Sequence, residues 1–343
     1  MLQATRRAFL SLGQSRVTPA EECWLHVNRK AMACRFEVTM PLSTESGVSI
    51  ASAALDEVEE IERQLSVFKE ESAISVVNRD AASRAVRVDR PLFHLLSFCK
   101  ELYDETEGAF DITSGPLTRC WGFLKREGRL PSELELAQAS ELVGCHKLVL
   151  DRASSTVRFK QPGVEINLGS IGKGYALDVV NKHFKQANEP ALLSAGASSF
   201  LATGSERAWL VGVRHPRAKQ KRLASVRLRE CAMSTSGSEE QFFENNGRRF
   251  GHIIDSRTGW PAERVSSVTV VADSTALSDA LATAFFVGGR DLAERYCEKH
   301  SNVLAIMLEA DASRPILIGE NEHCQVGFTQ SRKDDAKTER KFL

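Results

Sequence analysis

The sequence predicts an α+β fold. Apolar residues recur every three or four positions over residues 48–65 and again over 92–103, the spacing that gives a helix one buried face. Short β-rich runs recur between residues 32 and 308, and the pair 147–151 and 156–160 reads as a hairpin. With 343 residues, 42% of them apolar, the chain is long enough to bury a sizeable core as one large domain or two closely packed ones.

Residues 1 to 22 show no sustained periodicity and read as a disordered lead-in to a folded region spanning 23–325. Met32 to Met40 alternates as one strand, which Pro41 ends. Val48 to Leu65 is a helix burying Ala51, Leu55, Val58, Ile61 and Leu65, with Asp56, Glu57, Glu59 and Glu60 on the solvated face. A polar loop then leads into a short element ending at Asn78. Asp89 caps the next helix, Pro91 sits in its first turn, and Gly108 stops it. After the hairpin, a Gly-rich loop opens a helix over residues 174–184. Strands follow at Ala191–Ser194, Trp209–Val213 and Val226–Cys231. The basic run Arg214 to Arg222 is a solvated hairpin tip, since no aromatic residues interleave to stack bases. The run Ala232 to Gly237 ends a strand in three hydroxyls and a glycine. Val265–Ala272 is a strand, a helix begins at Ser278, Val303–Leu308 is a further strand, and residues 326–343 form a charged disordered tail.

Lys+Arg and Asp+Glu number 45 each, so bulk charge invites no nucleic acid. The eight cysteines are scattered without C-x-x-C spacing, which argues against zinc or a redox dithiol and for reduced, mostly buried thiols. No run of 18 apolar residues occurs, so no transmembrane segment is expected. Thr5-Arg6-Arg7-Ala8-Phe9-Leu10 looks like the twin-arginine part of an export signal, but the polar residues after Leu12 deny it an apolar stretch, and a cytoplasmic location is expected.

Four stretches carry chemistry. In I-N-L-G-S-I-G-K-G-Y-A-L-D, Ile166 to Asp178, three glycines precede or open a helix and Lys173 adds a charge, as a phosphate-handling loop requires. A structural Gly-rich turn is the plainer alternative, and the spacing does not match a nucleoside-triphosphatase loop. In G-A-F-D-I-T-S-G-P-L, Gly108 to Leu117, the pair Phe110-Asp111 is either an exposed ligand-binding pair or a buried ring with a capping acid. G-H-I-I-D-S-R-T-G, Gly251 to Gly259, sets His252 in a polar, glycine-bounded loop. Asp279 and Thr283 stand four apart on one helix face, a carboxylate and a hydroxyl suited to a hard cation. The alternative is a helix-end charge and a surface hydroxyl.

Taken in order, M-A-C-R-F-E-V, S-V-F-K-E-E-S-A-I-S-V-V-N, G-A-F-D-I-T-S-G-P-L, N-L-G-S-I-G-K-G-Y-A-L-D, S-T-S-G, H-I-I-D-S-R-T-G and S-D-A-L-A-T-A resemble the motifs of the ApbE family, the FAD:protein FMN transferases. The resemblance spans about residues 30 to 310. It implies mixed or antiparallel β-sheets flanked by helices in two closely packed subdomains. It further implies Mg²⁺-dependent cleavage of FAD, with FMN moved to a Thr or Ser hydroxyl of an acceptor protein and AMP released. By position in the motifs, Asp279 and Thr283 would bind Mg²⁺ by side chain and Ser170 by its carbonyl. Met32, Phe68, Ala109, Phe110, Asp111 and Lys173 would line the FAD site, and His252 would serve transfer. Asn167 stands where the family usually has aspartate, Gly196-Ala197-Ser198 where it has G-G-D, and Ser256 where it has proline. The rival readings are a metal-dependent FAD pyrophosphatase and a non-catalytic FAD-binding protein.

Overall fold

The structure is a computed structural model in which residues 23–328 are described, apart from 45, 205, 206, 219 and 240. The twin-arginine-like run and the charged segment from Ser331 lie outside the described residues.

Its frame is an eight-stranded sheet in the spatial order Trp24–Ala31, Cys34–Pro41, Ala191–Ala195, Ser199–Thr203, Ala232–Gly237, Val265–Ala272, Val303–Glu309 and Ile316–Glu320. Every neighbouring pair is antiparallel. The α+β expectation holds, in its antiparallel form. Residues 42–190 are inserted between two adjacent strands, Cys34–Pro41 and Ala191–Ala195.

Period two decides what lies on each face. Val303, Ala305 and Met307 join the larger apolar cluster with residues of helices Gly47–Leu65, Gly172–Ala187 and Thr275–Lys299, such as Leu55, Val180 and Phe285. Leu304, Ile306 and Leu308 point the other way, into a second cluster with Val211, Val226 and Leu228. Those last three belong to a three-stranded sheet of Trp209–Arg214, Arg222–Leu228 and Cys324–Phe328. Covered on both sides, Val265–Ala272 is buried at all eight positions. Phe285 is fully buried with its ring edge-on to Tyr296. Phe285→Ala is expected to cost about 3–5 kcal/mol, read as a lower urea midpoint; an unchanged midpoint would show that the cluster collapses around the gap.

Several expectations need correction. Met32 to Met40 is not one strand: Trp24–Ala31 and Cys34–Pro41 form a hairpin whose turn residues, Met32 and Ala33, have φ of 49° and 59°. Such a turn ordinarily announces itself with Asn-Gly, and Met-Ala gives no warning. The Met32 N–H is held by Glu62 Oε1 at 2.8 Å. Val226–Cys231 becomes Arg222–Leu228, because the strand starts within the basic run and Glu230 turns out of it at φ 50°. At the hairpin tip, Arg217 is not simply solvated, for its guanidinium donates to Ser266 Oγ at 3.0 Å and to the Ala310 carbonyl. Ala232–Gly237 is a strand in its own right. Its hydroxyls, buried at Ser234 and half-buried at Thr235 and Ser236, each have a partner: Ser234 with Ser278 at 2.9 Å, Thr235 with Thr269 at 2.8 Å and Ser236 with Thr283 at 3.3 Å. The last helix begins at Thr275, capped by Ser274 accepting from the Leu277 N–H, rather than at Ser278. Cys324–Phe328 carries regular pairing as far as Phe328, past residue 326, where the charged tail was expected to start. No cysteine is in a disulfide, and among the described residues no helix is long and apolar enough to cross a membrane.

Candidate functional site

The helices Gly172–Ala187 and Thr275–Lys299 meet at their N-terminal ends. Gly174 makes the meeting possible, since a Cβ there would stand 2.3 Å from the Thr275 carbonyl oxygen. Asp178, one turn further along, accepts the Thr275 and Ala276 N–H groups at 2.7 and 2.8 Å. One helix therefore caps the other. Burial raises the Asp178 pKa, against the lowering effect of those two N–H groups.

Asp279 lies in this junction, 5% exposed. Its Oδ2 accepts from Gly174 N at 3.1 Å and its Oδ1 from Ser199 Oγ at 3.2 Å. One turn on, Thr283 Oγ1 lies 3.4 Å from the Asp279 carbonyl and 3.3 Å from Ser236 Oγ. Ser170 stands four residues before Gly174, in the turn that leads into the same helix. Among the described residues there is no cluster of three or more His, Cys, Asp or Glu that could hold a metal. One carboxylate with hydroxyl and carbonyl oxygens instead fits a hard cation that keeps most of its waters, as Mg²⁺ does. Lys173, at the start of the helix, donates to Ser198 Oγ at 2.9 Å. Cys34 is close by: its thiol pKa is raised chiefly by burial, with Lys173 opposing and Asp279 reinforcing.

The remaining motif segments are tied to this junction by backbone contacts. Asn78 brackets Ile166, its Nδ2 donating to the Ile166 carbonyl at 2.9 Å while its Oδ1 accepts the Ile166 N–H at 2.7 Å. Asn167 N donates to the Ile112 carbonyl at 2.7 Å, which joins the Gly-rich loop to Gly108–Leu117. Ser256 Oγ donates to the Gly108 carbonyl at 3.0 Å, bringing in Asp255–Gly259. The reading of Phe110-Asp111 as an exposed pair is overturned, because Phe110 is fully buried and Asp111 nearly so. Asp111 Oδ1 accepts from Thr113 N and Thr113 Oγ1 at 2.7 and 2.6 Å, and burial pushes its pKa upward. Ala109 is buried as well. Met32 Cε lies 3.4 Å from where a Gly172 Cβ would be, so this half-buried side chain covers the loop. Phe68 projects outward at 71% exposure.

His252 belongs to a separate aromatic cluster. Its ring meets Phe123 edge-on at 6.5 Å, beside Trp121, Phe243 and Phe250. Both its N–H and Nδ1 face the Gln241 carbonyl, at 3.1 and 3.0 Å. A carbonyl only accepts, so in the neutral ring Nδ1 carries the proton and Nε2 the lone pair. His252 lines a cleft of about 150 Å³ with Gly237, Ser238 and Ser266. Gly237 follows Ser236, the partner of Thr283, so one strand end connects the imidazole cleft to the Asp279 turn. A larger apolar groove of about 520 Å³, lined by Pro91, His94, Phe98 and Tyr175, contains none of these groups.

Comparison with known proteins decides the family, for the ApbE family matches residues 32–308. The chain belongs to the ApbE family. An FAD:protein FMN transferase of Treponema pallidum is 34% identical over 259 residues, covering 69% of this chain and 72% of that one. Another from Haemophilus influenzae is 29% identical over 265 residues, covering 74% and 77%. The ApbE protein of Thermotoga maritima superposes with a TM-score of 0.76 at 29% identity, over 83% of this chain and 94% of that structure. The flavin transferase ApbE of Vibrio cholerae gives 0.75 at 23% identity, a likeness of fold.

Three of the positions expected to depart from the ApbE motifs make defined contacts. Asn167 Oδ1 accepts the Gly169 N–H at 2.9 Å, Ser198 holds Lys173, and Ser256 holds Gly108. Asn78, Asp178, Ser199 and Glu62 were not picked out from the sequence as site residues. Asn78 and Asp178 do close motif segments, which is the one trace they leave there, while their partners lie 88 and 97 residues away.

Proposed function

We propose that this protein is an FAD:protein FMN transferase, moving FMN from FAD to a Thr or Ser hydroxyl of an acceptor protein and releasing AMP. The observation that carries the reading is the buried Asp279 carboxylate, held by Gly174 N and Ser199 Oγ where the Gly-rich loop meets the last helix. Asp279, Thr283 and the Ser170 carbonyl would hold Mg²⁺, which when bound supplies charge neutralisation at the diphosphate. Lys173 adds a positive charge at the same end, and the N-terminus of helix Gly172–Ala187 favours an anion. Met32 and Phe68 belong to the flavin side, with the buried Ala109 to Asp111 supporting it from behind. In transfer the acceptor oxygen bonds to the FMN phosphorus, the bond from that phosphorus to the bridging oxygen breaks, and AMP departs with the electron pair. His252 Nε2 takes the acceptor hydroxyl proton.

The test is incubation of the protein with FAD, Mg²⁺ and acceptor proteins bearing a reactive Thr, scored for AMP and for an FMN mass adduct. AMP matched by adduct is the expected result. AMP without adduct across the acceptors would make the protein a pyrophosphatase, and bound FAD with neither product would make it a flavin carrier.

A further inference from the structure

We infer that Ser199 is a positioning residue for Asp279, fixing the plane of the carboxylate before a cation arrives; the inference rests on the metal-dependent reading above. Ser199 is fully buried and its Oγ lies 3.2 Å from Asp279 Oδ1. A carboxylate only accepts, so the hydroxyl is the donor. The other oxygen is fixed independently by Gly174 N at 3.1 Å. Two donors on two different oxygens leave the carboxylate no rotation about its Cβ–Cγ bond without breaking one of them. A carboxylate oxygen has more than one lone pair, so a donor to it does not exclude a cation.

The donor is itself rigidly placed. Ser199 pairs with Ala195 on one side and Ser234 on the other, in the interior of the eight-stranded sheet. Residues in such a ladder have little freedom to follow a moving ligand. Asp279 sits on a helix that packs against the neighbouring strands Ala232–Gly237 and Val265–Ala272, so Ser199 ties the orientation of a helix side chain to the sheet. Partners of this kind, one step behind a metal ligand, are worth about 10–100-fold in metal affinity.

The test uses Mn²⁺, followed by the loss of its free-ion electron paramagnetic resonance, titrated into FAD-saturated full-length protein. Ser199→Ala is expected to raise the Mn²⁺ Kd about tenfold, while FAD binding in EDTA stays within about twofold of wild type. Ser199→Thr, which retains the hydroxyl, is expected to restore the affinity. If Ser199→Ala does not fold, Ser199→Cys keeps the side-chain shape with a somewhat larger atom and a weaker donor, and must weaken Mn²⁺ binding in its place. A wild-type Kd in Ser199→Ala, or in Ser199→Cys where that variant is needed, would overturn the inference alone. A wild type that takes up no Mn²⁺ with FAD bound would overturn the metal reading itself, and the inference with it.

Discussion

Asp279→Ala is expected to lower flavinylation by at least about a thousandfold, through loss of charge neutralisation on the diphosphate. The substitution removes the carboxylate and with it the acceptor for both Gly174 N and Ser199 Oγ. Ala therefore tests chemistry and architecture together. Asp279→Asn separates them: an amide of the same shape keeps an acceptor for one of those donors but brings no negative charge. Asp279→Asn should fold with a urea midpoint near wild type, bind FAD in EDTA, and still fail to form AMP. AMP production above about a tenth of wild type in Asp279→Asn would show that the carboxylate charge is dispensable, and would remove the basis for the metal assignment. Thr283→Ala should be milder, because it removes one neutral hydroxyl, whose contacts among the described residues are Ser236 Oγ and the Asp279 carbonyl.

What could be read from the sequence follows from the range of the interactions. Helix Gly47–Leu65 was legible because its buried set, from Ala51 to Leu65, repeats at a spacing written in neighbouring residues. Val265–Ala272 was legible because a doubly covered strand is an unbroken β-rich run. The turn Met32-Ala33 was not, since its left-handed residues are tolerated through contacts such as Glu62 to Met32 N, 30 residues away. Phe110 shows the same limit from the other side. Glycines flanking an aromatic and an acid suggest exposure, yet the ring fills the core and Asp111 bonds Thr113 two residues along. At the candidate site, local pattern announced the motif residues: Lys173 and His252 stand among glycines, and Asp279 and Thr283 stand four apart on one helix face. Asn78, Asp178 and Ser199 act only through backbone groups or carboxylates distant in sequence, and nothing local marks them.

Gly174→Ala is the change from which the largest combined loss of stability and activity is expected. A Cβ at this position meets Thr275 O at 2.3 Å, Thr275 C at 2.6 Å and Ala276 Cα at 2.9 Å, all backbone atoms at the start of a helix. No rotamer change relieves a clash with backbone, so the two helices must separate. Overpacking of this kind costs about 1–3 kcal/mol, and more where the surroundings are rigid. Separation also stretches the Gly174 N to Asp279 contact and the two bonds from Asp178 to Thr275 and Ala276. A displacement of about 1 Å among reacting groups can reduce a rate a hundredfold. The variant should therefore show a lower urea midpoint and flavinylation reduced by at least about a hundredfold, even at temperatures where it remains folded. Gly172→Ala supplies the contrast for stability. A Cβ there meets Met32 Cε at 3.4 Å and Leu65 Cδ1 at 3.9 Å, ordinary contacts with flexible side chains, so its midpoint should match or exceed wild type. Equal midpoints for the two variants would mean that the helix junction yields more readily than its geometry implies. The capping of one helix by Asp178 of the other would then not be what holds Asp279 against the Gly-rich loop.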